Sequence, residues 1–144
     1  MEIKSRGYDR DTKRWYYGAY FKHQKYEICP VMFSGETAAD KEPKYEHYIV
    51  FDGSADWNMD KPIKLATVDP KSVGTYIGRK DSKGREIYSG DIIKLVRGNV
   101  GAVAYIEEST KFVVILADET LLHGVAFENS EVIGNTYENI DLLA

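Results

Sequence analysis

The segment from residue 76 to residue 94 constrains the fold most, because two turns containing glycine divide it into short strand-like stretches. Ser82-Lys83-Gly84 predicts a tight turn, since glycine adopts a positive φ without steric cost. Ser89-Gly90-Asp91 predicts a second turn, which leads into the apolar strand Ile92–Val96. Strands this short cannot each bury a core alone, so we expect an antiparallel β-meander.

The same pattern of turns and apolar strands continues beyond residue 94. Turns at Gly98-Asn99, at 107–110 and at 118–119 lead into strands that end near residues 106, 117 and 127. A spacing of about ten residues is typical of small barrels and sandwiches. Because Val132–Asn135 supplies one more strand at the end, we predict an SH3-like barrel.

The first half of the chain also reads as strands. An aromatic hairpin has the arms Ile3–Tyr8 and Arg14–Phe21, joined by a polar turn at residues 9–13. Further strands are predicted at 26–33, 45–51 and 63–68, with a flexible polar loop at 34–45. Trp57 and Met59 are expected to plug the interface between the lobes. Asp69-Pro70 predicts a single helical turn, capped by the aspartate.

We therefore predict a mostly β protein with short helical turns. Residues 1–68 form an N-terminal lobe rich in β-hairpins, and residues 69–144 form the SH3-like barrel on which it packs. The two lobes are expected to fold as one cooperative unit. Eleven tyrosines favour this class over a helical bundle, because tyrosine suits half-buried strand faces.

Composition favours a cytoplasmic location. No apolar stretch approaches the ~20 residues that span a bilayer, and the first residues lack the apolar core of a signal peptide. The single cysteine, Cys29, cannot form an internal disulfide, which favours a reducing compartment. We expect a cytoplasmic protein without membrane contact, in which Cys29 is a small buried apolar residue rather than a nucleophile.

The sequence contains none of the common catalytic or metal-binding signatures. Its three histidines are scattered, and Asp81-Ser82-Lys83-Gly84 has the wrong order for a phosphate-binding loop. The acidic pairs Asp9/Asp11 and Glu107/Glu108 fall in predicted turns, where they are exposed, whereas general acid–base catalysis usually needs a buried carboxyl group. We therefore expect no enzyme activity, no catalytic residue, no metal site and no cofactor.

Asp91 has two interpretations. An aspartate that opens a strand after glycine could bind a metal or a polar ligand, or it could cap the turn by accepting backbone hydrogen bonds. Capping is the more common role, and we predict it here.

Basic residues crowd the turn at 79–85 and lie next to aromatic residues. Such a cluster could hold a nucleic-acid backbone, or it could be a solvated hairpin. The candidate contacts with nucleic acid or a protein partner are Arg79, Lys80, Lys83, Arg85 and Tyr88.

Charge is distributed unevenly along the chain, whose net charge is −4. Residues 71–97 carry seven basic and three acidic side chains, whereas residues 98–144 carry one basic and eight acidic side chains. A basic edge and an acidic edge can orient a partner or bring two subunits together.

Three segments resemble the YopX family, small proteins encoded mainly by bacteriophages and prophages whose biochemical role is not established. They are Ile3–Lys13, the run Val68–Gly74 continuing into Gly78–Lys94, and Glu131–Asn139. Ser5, Gly7, Tyr8, Arg79 and Ser89 depart from the family pattern, and nothing between His23 and Leu65 matches it. The motifs thus cover about half of the chain.

The resemblance implies a β-rich fold with an SH3-like C-terminal barrel, and it supplies no catalytic or binding residue. Our first hypothesis is a non-enzymatic phage or prophage accessory protein that binds an unknown host or phage protein and could form a homo-oligomer. The alternative is nucleic-acid binding through the turn at 79–85.

Overall fold

The computed structural model describes residues 2–25 and 44–144, of which 52% lie in strands and 8% in helical turns. The predicted mostly β class is confirmed. The strands form two antiparallel sheets, neither of which closes into a barrel.

The first sheet has the strand order β4-β3-β2-β1-β5-β6. Its strands are β1 (Ser5–Asp9), β2 (Arg14–Lys25), β3 (Lys44–Asp52), β4 (Ile63–Thr67), β5 (Gly74–Lys80) and β6 (Glu86–Tyr88). The second sheet has the order β10-β9-β8-β7-β11. Its strands are β7 (Asp91–Lys94), β8 (Val100–Ile106), β9 (Lys111–Leu116), β10 (Leu121–Leu122) and β11 (Glu131–Asn135).

The opening hairpin forms as its polar turn predicts. Asp9 Oδ1 accepts a hydrogen bond from the Asp11 backbone amide at 2.9 Å, and the Lys13 amide donates to the Asp9 carbonyl at 2.8 Å. The second arm is longer than predicted, because β2 exchanges partners midway. Its first half pairs with β1 up to Gly18, and its second half pairs with β3.

Gly18 is required at this exchange point. A Cβ atom placed there would lie 2.1 Å from the backbone oxygen of Val50, closer than any side chain can approach. The glycine therefore lets β3 come close to β2 where the strand changes partners.

Several local predictions can be compared with the structure. The strands at 45–51 and 63–68 are confirmed as β3 and β4. The predicted strand at 26–33, including Cys29, lies outside the described residues, as does the predicted loop up to residue 43. Lys44, assigned to that loop, belongs to β3, as does Tyr45, where the predicted loop and the predicted strand overlap.

Two predictions are wrong. The stretch 120–127 contains only the two-residue strand β10, because Gly124 takes φ +63° and turns the chain. Trp57 and Met59 do not plug an interface between lobes, since 93% of Trp57 and 68% of Met59 is exposed.

One apolar core joins the two sheets. Ile77 and Ile87, from β5 and β6, pack with residues of the second sheet and of the helical turn Phe127–Asn129. The other buried members of this core are Ile93, Val103, Val114 and Phe127. The β5–β6 hairpin therefore fixes the first sheet against the second.

A second contact between the sheets is aromatic and polar, and we call it the joint: Tyr8, Arg10, Trp15, Asp69 and Tyr137. The ring centroid of Tyr8 lies 5.3 Å from the ring centroid of Trp15 and 5.5 Å from that of Tyr137. The Tyr137 hydroxyl donates to Asp69 Oδ2 at 2.8 Å, and Arg10 Nη2 lies 2.8 Å from the same oxygen.

Asp69 has the predicted capping role as well. Its Oδ1 accepts from the Lys71 amide at 3.1 Å, at the start of the helical turn Pro70–Ser72. Burial raises the pKa of the Asp69 carboxyl, but the hydrogen bonds from Tyr137 and Lys71 and the charge of Arg10 outweigh it. The pKa therefore lies below its ordinary value.

The division into lobes at residue 68 stays a prediction. The first sheet takes its strands from residues 5–88 and the second from residues 91–135. Among the described residues, none of the helical turns is long and apolar enough to cross a membrane.

Candidate functional site

Three of the five predicted contact residues line one groove. Lys80, Arg85 and Tyr88 border a space of about 520 Å³ between β1 and the β5–β6 hairpin. Residues far away in the sequence complete the lining, among them Lys4, Arg6, Tyr17 and Asp91. Arg79 and Lys83 are not part of this lining.

A buried ion pair lies at the base of the groove. Arg6 Nη2 is 2.6 Å from Asp91 Oδ1, and the two residues are 8% and 1% exposed. The guanidinium also lies 4.9 Å from the ring centroid of Trp15 and 5.0 Å from that of Tyr88. Two aromatic rings and one carboxylate therefore fix the position of Arg6.

Asp91 has the predicted capping role. Its Oδ2 accepts a hydrogen bond from the Tyr88 amide at 2.8 Å, which closes the turn before β7. In the described part of the chain, its Oδ1 and Arg6 Nε have no aligned hydrogen-bond partner, so charge rather than hydrogen-bond geometry holds the pair. Burial raises the pKa of Asp91 although Arg6 opposes the shift, because the interior disfavours the charged carboxylate.

Two of the predicted contact cations are already engaged by β11. Lys83 Nζ lies 2.6 Å from Glu131 Oε1, and Arg85 Nη1 donates to the Val132 carbonyl at 3.1 Å. The hydrogen bond from Lys83 lowers the pKa of Glu131. These cations therefore hold the β5–β6 turn against the second sheet, which reduces what they can offer to an outside ligand.

Asp81 organises the same turn from inside. Its Oδ1 accepts from the amides of Lys83 and Arg85 at 2.9 and 2.8 Å, and its Oδ2 accepts from the Val132 amide at 3.0 Å. Burial raises the pKa of Asp81, but these three donors outweigh it, so the pKa lies below its ordinary value. The sequence analysis did not predict this role of Asp81, although an aspartate before Ser-Lys-Gly is typical of such a turn.

The remaining charges of the groove are mostly paired. Lys4 Nζ lies 2.5 Å from Glu86 Oε2 and 5.1 Å from the ring centroid of Tyr76. Burial raises the pKa of Tyr88 to about 12, so its hydroxyl stays neutral at pH 7. Of the cations that line the groove, Lys80 has no carboxylate partner within residues 2–25 and 44–144.

A second surface is apolar and exposed. We call it the β4 face: Tyr17 and Phe21 on β2, Val50 on β3, and Ile63 and Leu65 on β4. The register places Val50 opposite Leu65, and side chains two residues apart along a strand share one face. The exposed fractions are 52% for Tyr17, 54% for Phe21, 80% for Ile63 and 62% for Leu65.

Within residues 2–25 and 44–144, β4 is the edge strand of the first sheet and pairs with β3 alone. The Pro62 carbonyl accepts from Gly53 at 2.7 Å, and the Val68 amide donates to His47 at 2.8 Å. Because backbone groups alternate in direction along an antiparallel strand, the Pro62 carbonyl and the amides and carbonyls of residues 64, 66 and 68 face β3. Those of residues 63, 65 and 67 face outward.

The described residues contain no group of three or more His, Cys, Asp or Glu side chains that could hold a metal ion. The comparison with curated proteins gave no match. The sequence model of the family described as "YopX protein" matches residues 4–144. The chain belongs to the YopX family. This match includes residues 23–65, where we found no motif. The family resemblance therefore extends over nearly the whole chain and not over half of it.

In this YopX-family protein, the segments that carry the motifs meet in space. The first contributes Tyr8 and Arg10 to the joint, the middle one Asp69, and the last one Tyr137. The Thr136 amide also donates to the Gly90 carbonyl at 2.7 Å. The motif residues therefore hold the two sheets together, whereas the β4 face carries no motif.

Proposed function

We propose that this YopX-family protein is a non-enzymatic, cytoplasmic phage or prophage accessory protein that acts as a protein-interaction module. The β4 face is the observation that carries the proposal. Monomeric proteins seldom expose adjoining large apolar side chains beside an open strand edge, because both features invite contact with another chain. The phage origin is supported by the family resemblance alone.

The chemistry of this surface favours an extended polypeptide as its partner. Outward backbone groups on β4 can hydrogen-bond to an added strand, which is a common mode of peptide recognition. Ile63 and Leu65 would then contact alternate side chains of that strand. A groove of about 670 Å³, lined among others by Ile3, Tyr17, Val50 and Ile63, continues the contact across the sheet.

The second sheet supports an SH3-like arrangement as a finer proposal. Its strand order β10-β9-β8-β7-β11 brings the last strand back beside the first, and the helical turn Phe127–Asn129 lies between β10 and β11. We retain the division at residues 68 and 69 as part of this proposal. With this division, the residues of the β5–β6 hairpin belong to the C-terminal lobe, although their strands are hydrogen-bonded into the first sheet.

Leu65→Glu tests the interaction function. We expect the immobilised wild-type protein to capture specific partners from a bacterial lysate. The Leu65→Glu variant should capture at least about tenfold less of each partner, because burying an unpaired carboxylate in an apolar contact is unfavourable. Val96→Glu is the matched control, since Val96 is 76% exposed and lies outside the β4 face. Equal capture by the two variants would contradict the proposal.

Nucleic-acid binding remains the second candidate, and one observation favours it. Arg79 and Lys80 are exposed, and neither has an ion-pair partner in the described part of the chain. This candidate predicts saturable binding in fluorescence anisotropy with labelled DNA and RNA, weakening as salt rises. Lys80→Glu should weaken that binding and Lys111→Glu should not, while flat titrations at low salt would eliminate it.

A further inference from the structure

We infer that the polypeptide which pairs with β4 is a second copy of this chain, joined about a two-fold axis at Leu65. This inference rests on the proposed interaction function and gives it a partner. It follows from the direction of the backbone groups on β4, from the side chains of its exposed face and from the position of Lys64.

The backbone of β4 is self-complementary. In an antiparallel pair centred on Leu65, this residue lies opposite its own copy, and Ile63 lies opposite Thr67 of the second copy. All three residues direct their amides and carbonyls away from β3, as the inward bonds of Pro62 and Val68 require. The pair could form roughly six intermolecular hydrogen bonds without breaking one inside either copy.

The side chains fit the same arrangement. Two Leu65 side chains, each 62% exposed in the single chain, would meet at the axis with Cβ atoms about 5.5 Å apart. Ile63 and Val50 lie on the same face and would extend this contact in both copies. The first sheets would become one continuous sheet whose exposed apolar side chains are partly covered.

Charge selects the register. A pair centred on Lys64 would bring two lysines directly opposite each other, which is unfavourable. The pair centred on Leu65 instead places Lys64 opposite Ala66 of the second copy. In this register Lys64 and its copy are diagonal neighbours rather than directly opposite, which weakens their repulsion.

Sedimentation velocity of the full chain between about 1 and 500 μM tests the inference, since a contact this small is expected to have a micromolar dissociation constant. We expect a species of twice the 16.4 kDa chain mass as the concentration rises. Leu65→Glu should raise the dissociation constant at least about tenfold, because it places two carboxylates opposite each other. Lys64→Glu should change it less than about twofold, since Lys64 lies off the axis and on the opposite face.

Mixing two charge variants tests the axis itself. Leu65→Glu and Leu65→Lys should each be monomeric alone and should form a heterodimer together, because unlike charges then lie opposite each other. This result requires residue 65 to face its own copy. Circular dichroism of each variant verifies folding, which a substitution at this exposed position should leave intact.

The outcomes separate the two proposals. If the protein is a monomer at all concentrations, the inference that β4 pairs with a second copy is overturned. Loss of lysate capture by Leu65→Glu would in that case still support a different protein as the partner. Dimers that Leu65→Glu leaves unchanged would place the interface elsewhere and overturn the inference. Failure of both experiments would overturn the inference and the proposed function together.

Discussion

Asp91→Ala is expected to destabilise the protein by about 3–5 kcal/mol, because it leaves Arg6 charged and buried without its carboxylate. The aspartate is 1% exposed, and its nearest oxygen lies 2.6 Å from Arg6 Nη2. The substitution also removes the acceptor for the Tyr88 amide. Urea unfolding at pH 7, followed by circular dichroism, measures the loss.

Asp91→Asn separates the two contributions. The amide oxygen can still accept from Tyr88, but the negative charge opposite Arg6 is gone. We expect this variant to lose most of the stability that alanine loses, since the unpaired buried cation accounts for most of the cost. Near wild-type stability for Asp91→Asn would contradict a structural role of the ion pair and leave the cap as the contribution of Asp91.

A double-mutant cycle measures the coupling directly. Combining Arg6→Met with Asp91→Asn removes both charges, so the double variant should be more stable than the sum of the single losses predicts. Additive losses would mean that the two side chains stabilise the fold independently. The raised pKa of Asp91 agrees with a pair that is costly to bury and damaging to break.

Asp81→Ala should produce the second large loss, about 3 kcal/mol, because three backbone amides lose their acceptor. The turn at residues 81–85 would then lose its connection to β11 through Val132. We expect equilibrium unfolding to remain cooperative, at a lower urea midpoint. Asp118→Ala is the control, since Asp118 accepts from Thr120 in a turn that is exposed.

The stabilisation by the Asp81 carboxylate should also depend on pH. The pKa of Asp81 is lower in the folded protein than its ordinary value of 3.8, so the folded state favours the ionised form. That stabilisation is complete above about pH 5 and is lost as the pH falls through the folded pKa. The wild type and Asp81→Ala should therefore converge in stability between pH 5 and pH 2, and a constant difference would contradict the prediction.

Local turn chemistry made much of the fold predictable. The turns at 9–13 and 82–84, and the capped helical turn after Asp69, depend on side chains that bond to their own backbone neighbours. The pattern of apolar residues gave wrong predictions at two places. Gly124 ends the strand predicted over 120–127, and Trp57 is exposed although it is large and apolar.

The candidate surfaces were less predictable, because long-range strand pairing assembles them. Lys4 and Arg6 reach the groove only because β1 pairs with β5, about 70 residues away in the sequence. The pairing of Lys83 with Glu131 across the sheets was equally invisible. β4 was predicted as a strand, but its place at the edge, which exposes Ile63 and Leu65, depends on the order of the whole sheet.

The joint has a consequence for how the protein reaches its native state. Arg10 and Tyr137 are 127 residues apart in the sequence, and their contact forms only after the segment between them has left the ribosome. The same applies to β11, which pairs with β7 across the intervening meander. Closing such long loops costs entropy before any contact repays it, so folding should be slow, on a scale of about milliseconds to seconds. The hairpin of β1 and β2 is synthesised long before Tyr137, and a nascent chain therefore carries the aromatic side chains of that hairpin unprotected until Tyr137 has emerged.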